Sequence, residues 1–338
     1  MHHTLTVAVL LAIGCAGPVA AQPALDPPAG PIGESGRFGT LIELSQASTP
    51  GDADSVFRIS EPGSYVLTSD LTVPANQIGI EIAANDVTID LNGYSVSGDV
   101  ATSTGVGVTL PTLVSETFTN LLVSDGSFRD LANSISTLAN VRAEPDDLTN
   151  RIEGVTARRV RVTDVSNGMV LANGRIEDSV VQAQNIGISL ENGTIDGCSV
   201  TISAPGPVAA VGISVGGGSV RNSSVVIDNT SSTNVTGIRL RDADATDCTV
   251  LLSGANAVGF GSLSGTALAS RCSVRLFFPG SSSFSFGFDV DGVVVDCIAT
   301  GTTFGYRVDE GVVRGSAAID VTTPSVLGAS VVTSDNNF

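Results

Sequence analysis

Read for groups that can do chemistry, the sequence offers carboxylates, guanidiniums and thiols and little else. Its 34 acids oppose 16 bases, every base is Arg, and the two His stand at positions 2 and 3. With no lysine and no later imidazole, the body of the chain cannot run a His-based triad, bind zinc through His, form a lysine Schiff base or use a Walker lysine. A net charge of −18 opposes phosphate backbones, so nucleic acid is not an expected partner. The charge favours solubility and cationic partners.

Three groups of residues carry the remaining possibilities. Arg239, Asp289 and Arg307 recur at one outward position of a repeated segment, where arginines and an acid could hold an anionic sugar. Solvated surface charge with local ion pairing explains the same residues. Asp242, Asp244 and Asp247 are spaced carboxylates near turns, the donors that Ca²⁺ takes. Asp and Asn also fill turns because their side chains bond the local backbone, and Asn173, Asn192, Asp242 and Glu310 share nearly one phase. Cys198, Cys248, Cys272 and Cys297 share a single repeat phase that Ser occupies elsewhere. Alternation turns them inward, which predicts a buried ladder of small side chains. Paired disulfides would need facing Cβ vectors, and a one-dimensional stack makes no tetrahedral metal site.

The elements that must position these groups come from the repeat itself. Gly154-Val-Thr-Ala-Arg-Arg-Val-Arg-Val returns as Gly174-Arg-Ile-Glu-Asp-Ser-Val-Val and Gly193-Thr-Ile-Asp-Gly-Cys-Ser-Val, and continues to Gly311-Val-Val-Arg-Gly-Ser-Ala-Ala. The phase marked by Arg159, Ser179, Cys198, Ser223, Cys248, Cys272, Cys297 and Ser316 recurs every 19 to 25 residues. A second element is interleaved: Gly187-Ile-Ser-Leu, Gly212-Ile-Ser-Val, Gly237-Ile-Arg-Leu, Gly287-Phe-Asp-Val and Gly305-Tyr-Arg-Val. Each repeat therefore holds at least two short alternating strands separated by Gly, Asn or Asp turns. So short a unit leaves no room for a crossover helix, so parallel strands must stack directly, coil on coil. That predicts an all-β, right-handed parallel β-helix.

Ile59-Ser-Glu-Pro-Gly-Ser-Tyr-Val-Leu-Thr-Ser-Asp-Leu-Thr, then Gly79-Ile-Glu-Ile, then Asn85-Asp-Val-Thr-Ile-Asp-Leu-Asn-Gly-Tyr-Ser-Val-Ser-Gly98 extends the pattern towards the N-terminus. This block resembles the opening of secreted right-handed parallel β-helix repeat proteins of the pectate-lyase-like superfamily, over about residues 56–329. The resemblance implies the fold and little about activity. Polygalacturonases of that superfamily use Asn-Thr-Asp, Asp-Asp, Gly-His-Gly and Arg-Ile-Lys segments, of which only Asp146-Asp147 occurs here. The Asp-Pro-His motif of alginate epimerases is absent. Pectate lyases combine calcium, acids and an Arg base, but no matching motif stands in this chain.

Around the solenoid, residues 1–21 read as a signal peptide, with an apolar run from Leu5 to Ile13 and small residues before a cut after Ala21. Cys15 within Ala12-Ile13-Gly14-Cys15 offers a lipid anchor as the alternative. No other apolar run is long enough to span a bilayer. Residues 22–55 read as a Pro/Gly-rich linker and N-terminal cap, 56–330 as the β-helix, and 331–338 as a polar tail. Asn133 to Asn150 reads as an off-period loop.

These readings predict an exported binding or scaffold module of the cell envelope or exterior, with a glycan or an envelope component as partner. A polysaccharide lyase or glycoside hydrolase working through Asp, Glu and Arg is the alternative, since two carboxylates suffice for hydrolysis. A third reading, an adhesin or fibre-like component, predicts a trimer. No cofactor is required, and Ca²⁺ is the one ion the acids suggest. Sugar platforms favour aromatic faces, yet Trp is absent and Tyr is limited to Tyr65, Tyr94 and Tyr306.

Overall fold

The computed structural model describes residues 40–99, 104–111, 116–137, 151–203, 209–228, 234–253, 256–262, 266–277, 285–321 and 323–334. Among them every regular element is a strand, and no helix is long and apolar enough to cross a membrane. The expected signal peptide, Cys15, the linker and Asp146-Asp147 lie outside the described residues.

The chain winds as a right-handed parallel β-helix in which each coil lays down three strands, one in each of three sheets. Residues 186–190 belong to sheet A, 193–196 to sheet B and Ser199–Ile202 to sheet C. One coil later, 211–215, 218–221 and Ser224–Asp228 lie in register beside them, all parallel. The same three-way stacking runs from Ser55–Ile59 in sheet A to 331–334 in sheet B. Two of the three strands hid inside one sequence motif, because only two residues separate B from C.

The first of the two sets the corner. Asp178, Gly197, Asn222, Asp247, Arg271, Asp296 and Gly315 occupy it on successive coils, with φ between 47° and 65°. The left-handed conformation costs most L-residues about 1–2 kcal/mol, and Gly, Asn and Asp tolerate it best. Those types therefore recur at the corner, and the two arginines found there, Arg159 and Arg271, need another source of stabilisation.

The next residue after each corner turns inward: Ser179, Cys198, Ser223, Cys248, Cys272, Cys297 and Ser316 are all buried. Their side chains take over backbone hydrogen bonds where the chain leaves the sheet. The Cys198 N–H donates to Ser223 Oγ at 3.2 Å, and that hydroxyl donates to the Arg221 carbonyl at 2.7 Å. The Cys272 N–H points at Cys297 Sγ at 3.4 Å, and Cys297 Sγ lies 3.2 Å from the Val295 carbonyl oxygen. Ser and Cys share the position because both are small, fit inside the coil, and carry a donor and an acceptor on one atom. One sequence alignment is corrected by this register. Val160, not Arg159, precedes Ser179 in the ladder, because Arg161 pairs with Val180 and the positive φ of Arg159 places it at the corner.

The interleaved glycines have a different cause. Gly187, Gly212 and Gly237 lie where sheet A runs directly over the inner side chains of sheet C. A Cβ added at Gly212 would stand 2.2 Å from Val225 Cγ1 and 2.7 Å from the Gly237 carbonyl oxygen; at Gly187 it would stand 2.2 Å from Val200 Cγ1. No side chain fits there, so glycine repeats. Ser134 holds the equivalent place early in the stack and donates to the Gly168 carbonyl at 2.7 Å.

Inward Val, Ile and Leu from all three sheets fill the coils as one continuous core. Towards the C-terminal end, Phe260, Phe288 and Tyr306 stack inside it with ring centres 5.0 and 5.2 Å apart. At the other end Ile42–Glu43 forms the first rung of sheet B, Leu44 is buried, and Pro50 bridges antiparallel to Phe57. Two expected boundaries move. Asn133–Ser136 is a regular strand of sheet A, since Asn133-Ser134-Ile135 carries the sheet A phase with Ser in place of Gly. Residues 331–334, expected in a tail, pair with 311–314 as a strand of sheet B.

Candidate functional site

The outward side of sheet A gathers the chain's concentrated polar and aromatic chemistry. Its register places Val170, Ser189, Ser214, Arg239, Gly261, Asp289 and Arg307 in one row, one residue per coil. The expected trio Arg239, Asp289 and Arg307 therefore shares a row, with Gly261 filling the place between Arg239 and Asp289.

Two of the three meet directly. The Asp289 carboxylate accepts from Arg307 Nε at 2.5 Å and from Arg307 Nη2 in a two-pronged pair. The same guanidinium lies over the Phe286 ring, 4.3 Å from its centre. Phe286 in turn stacks on Phe304 of the next coil, 4.9 Å apart and 16° from parallel. These two rings are half-buried and face outward, one residue before the ladder glycines 287 and 305. Sequence reasoning missed them while searching for Trp and Tyr. Their signal was present in Phe286-Gly287-Phe288 and Phe304-Gly305-Tyr306, where the residue before the glycine faces out and the one after it faces in. Tyr65 and Tyr306 are buried, so neither is an exposed platform.

Arg239 stands apart from that cluster. It pairs in register with Ser214 and Gly261, neither of which carries a charge. Partial burial holds its guanidinium below the ordinary arginine range. A Cβ at Gly261 would meet side-chain atoms alone, Val258 Cγ1 at 3.2 Å and Thr236 Cγ2 at 3.8 Å, and no backbone.

The three candidate calcium ligands do not converge. Asp242 sits at a turn and its Oδ1 accepts the Thr266 N–H at 3.2 Å. Asp244 points out from sheet B. Asp247 occupies a B–C corner, where Arg271 binds both of its oxygens at 2.7 and 2.6 Å. Among the described residues no three acids, thiols or imidazoles stand close enough to share a metal ion. Their places on the coil explain the dispersal: Asp242 stands at the turn before sheet B, Asp244 on the outward face of that sheet and Asp247 at the corner after it.

The four cysteines are free thiols and fully buried. Burial pushes the Cys198 thiol up to about 11. Cys248 is pushed up by its hydrogen bond to Cys272 and by burial. Such thiols are poor nucleophiles. A shallow depression of about 390 Å³ opens at the B–C corner beside Asp125, Arg159, Arg161 and Asp178. Its strongest charges satisfy each other, since Arg159 Nε and Nη2 bind the two Asp125 oxygens at 2.6 and 2.7 Å.

No protein-family model and no curated protein matches this chain. Among solved structures, the chain is similar to the crystal structure of PfbA, a surface adhesin of Streptococcus pneumoniae. The likeness has 12% sequence identity and a TM-score of 0.27, and covers 82% of this chain and 84% of that one. At that level it carries no function across.

Proposed function

We propose that this protein is an exported binding module that presents the C-terminal part of sheet A to an extended glycan. One observation carries the reading: the outward Phe286–Phe304 stack, with the Arg307–Asp289 pair laid against it. An aromatic face receives the apolar side of a sugar ring, and a planar charged pair at its edge supplies hydrogen bonds to hydroxyls. The two rings lie on successive coils and Arg239 lies two coils beyond Asp289 in the same row, so the surface is elongated along the stack, which suits a polymer better than a compact ligand.

Binding without turnover is the expected behaviour. Both Asp289 oxygens are engaged by Arg307, so the acid nearest the platform is occupied rather than poised for proton transfer. Incubating the protein with acidic and neutral polysaccharides tests both halves of the proposal. Retention on an immobilised glycan, weakened tenfold or more in Phe286→Ala/Phe304→Ala and Arg307→Ala variants that keep their melting temperature, supports the binding module. Retention that ignores these substitutions removes sheet A from the account.

A lyase is the second reading, and Arg239 is the observation that favours it: a partly buried guanidinium whose neighbours along the row carry no charge. Appearance of unsaturated products from an acidic polysaccharide, abolished in Arg239→Ala, would replace the binding module with this enzyme.

A further inference from the structure

Exposed apolar side chains are not scattered over the coils. Among the described residues six large hydrophobic side chains are exposed, and five of them, Val180, Val226, Phe277, Ile298 and Ile319, stand on the outward side of sheet C at 37 to 48% exposure. The sixth, Leu41, lies at the N-terminal end. From Val180 to Ile319 the strands of sheet C carry one acid, Asp228, and one base, Arg275. In a chain of net charge −18, this is a nearly neutral, partly apolar sheet face, and contiguous patches of that kind mark interaction sites.

The order of side chains along this face identifies the partner. The first outward row reads Val180, Ser199, Ser224, Thr249, Ser273, Ile298 on six successive coils. Aliphatic side chains flank four hydroxyls, with Arg161 beyond Val180 and Ala317 beyond Ile298, so this stretch of six reads alike in both directions. The neighbouring row places Val226 and Leu251 side by side at its centre. We propose that sheet C is the self-association surface of the protein, joining two copies antiparallel and face to face about a two-fold axis between the Ser224 and Thr249 coils.

That axis sets Val180 of one copy against Ile298 of the other and Val226 against Leu251, and it sets the hydroxyl rows against each other. Charges do not clash: Arg275 meets Thr201, and Asp228 meets Ser253, the hydroxyl that already bonds it within the chain at 2.8 Å. An isologous contact needs this kind of self-complementary patch. The other surfaces serve worse, because most carboxylates of this acidic chain sit at turns and corners, where two copies would repel. Six strands at ~4.8 Å spacing and ~15 Å of strand width bury roughly 900 Å² in total, counting both copies. That is below the standard size for a stable complex, so the dimer is a weak one, populated at high protein concentration. It uses sheet C alone and leaves sheet A of both copies clear, so two linked binding surfaces would gain avidity on a polymer.

Sedimentation velocity on the full chain, from micromolar to millimolar concentration at physiological salt, tests the proposal without reference to any ligand. The expected result is a concentration-dependent dimer whose dissociation constant rises at least tenfold in Val226→Asp and Ile298→Asp and is unchanged in Leu41→Asp. Each variant is first matched to the parent by circular dichroism and melting temperature. A monomer throughout the range, a trimer, or a dimer indifferent to both sheet C substitutions overturns the proposal.

Discussion

Arg271 grips Asp247 of the preceding coil through two parallel hydrogen bonds, Nε to Oδ1 at 2.7 Å and Nη2 to Oδ2 at 2.6 Å, and both residues occupy the same left-handed corner. Arg159 and Asp125 repeat the arrangement earlier in the stack. The pairing explains how a long side chain is tolerated where Gly, Asn and Asp otherwise stand. The guanidinium lies along the corner and bonds the equivalent residue one coil away, which offsets part of the strain.

The pair fixes a pH signature. Hydrogen bonding to Arg271 holds the Asp247 carboxyl below its ordinary value of 3.8. A carboxyl lowered on folding contributes stability above its unfolded value, and that contribution is lost as pH falls through the folded one. Carboxyl-carbon NMR titration should therefore find Asp247 titrating below 3.8 in the parent and returning towards that value in Arg271→Gln. Identical titration in both proteins would show the pair to be absent in solution.

The glycine ladder makes a steric prediction. Gly212→Ala places a methyl 2.2 Å from Val225 Cγ1, so the variant should lose about 1–3 kcal/mol of stability in denaturant unfolding. Adding Val225→Ala should restore part of the loss. Gly261→Ala, whose methyl would meet only the Val258 and Thr236 side chains, the nearer at 3.2 Å, should cost clearly less than Gly212→Ala. Equal effects at the two glycines would remove the close-approach explanation.

Cys297 tests why Ser and Cys share one position. Cys297→Ser keeps an acceptor for the Cys272 N–H, whereas Cys297→Val leaves that buried group without one. The expected order in unfolding free energy is parent and Ser variant close together, with Val lower by about 1–3 kcal/mol. The thiols themselves should resist a thiol reagent in the folded protein and react once it is unfolded.

Glu81 predicts a gain rather than a loss. Its side chain is buried on the outward row of sheet A, and burial raises its carboxyl above the ordinary 4.5. Arg58 Nη1 comes within 3.0 Å of Oε1 without making a hydrogen bond to it. A carboxyl raised on folding favours the folded state at pH below its unfolded value, and that contribution disappears as pH rises through the folded value. Glu81→Gln should therefore raise the melting temperature at neutral pH, with the gain shrinking as pH falls through the folded value towards 4.5. A gain that grows on acidification would contradict the assignment.

Much of the fold was legible because its constraints repeat. The Ser/Cys phase and the Gly-Ile-x-Leu phase are consequences of one corner and one close approach, copied coil after coil, so periodicity exposed them. The third strand was not legible, since Asp178 and Ser179 suffice to turn sheet B into sheet C and leave no break in the pattern. Arg159 misled the alignment because a corner arginine is chemically unlike the Ser and Cys beside it. At the site, the row of Arg239, Asp289 and Arg307 followed from strand alternation. Phe286 and Phe304 did not, because the extra inward glycine shifts the alternation and makes the preceding residue face out. The Asp242, Asp244 and Asp247 cluster illustrates the opposite error: closeness in sequence is not convergence when each coil turns three corners.

The account rests on sheet A as the ligand surface, and hydroxyl-radical footprinting with and without a bound polysaccharide tests it most directly. It predicts protection of Phe286 and Phe304 on binding, with Phe277 on sheet C unchanged at a protein concentration too low for self-association. Protection of Phe277 with Phe286 and Phe304 still fully reactive would contradict it.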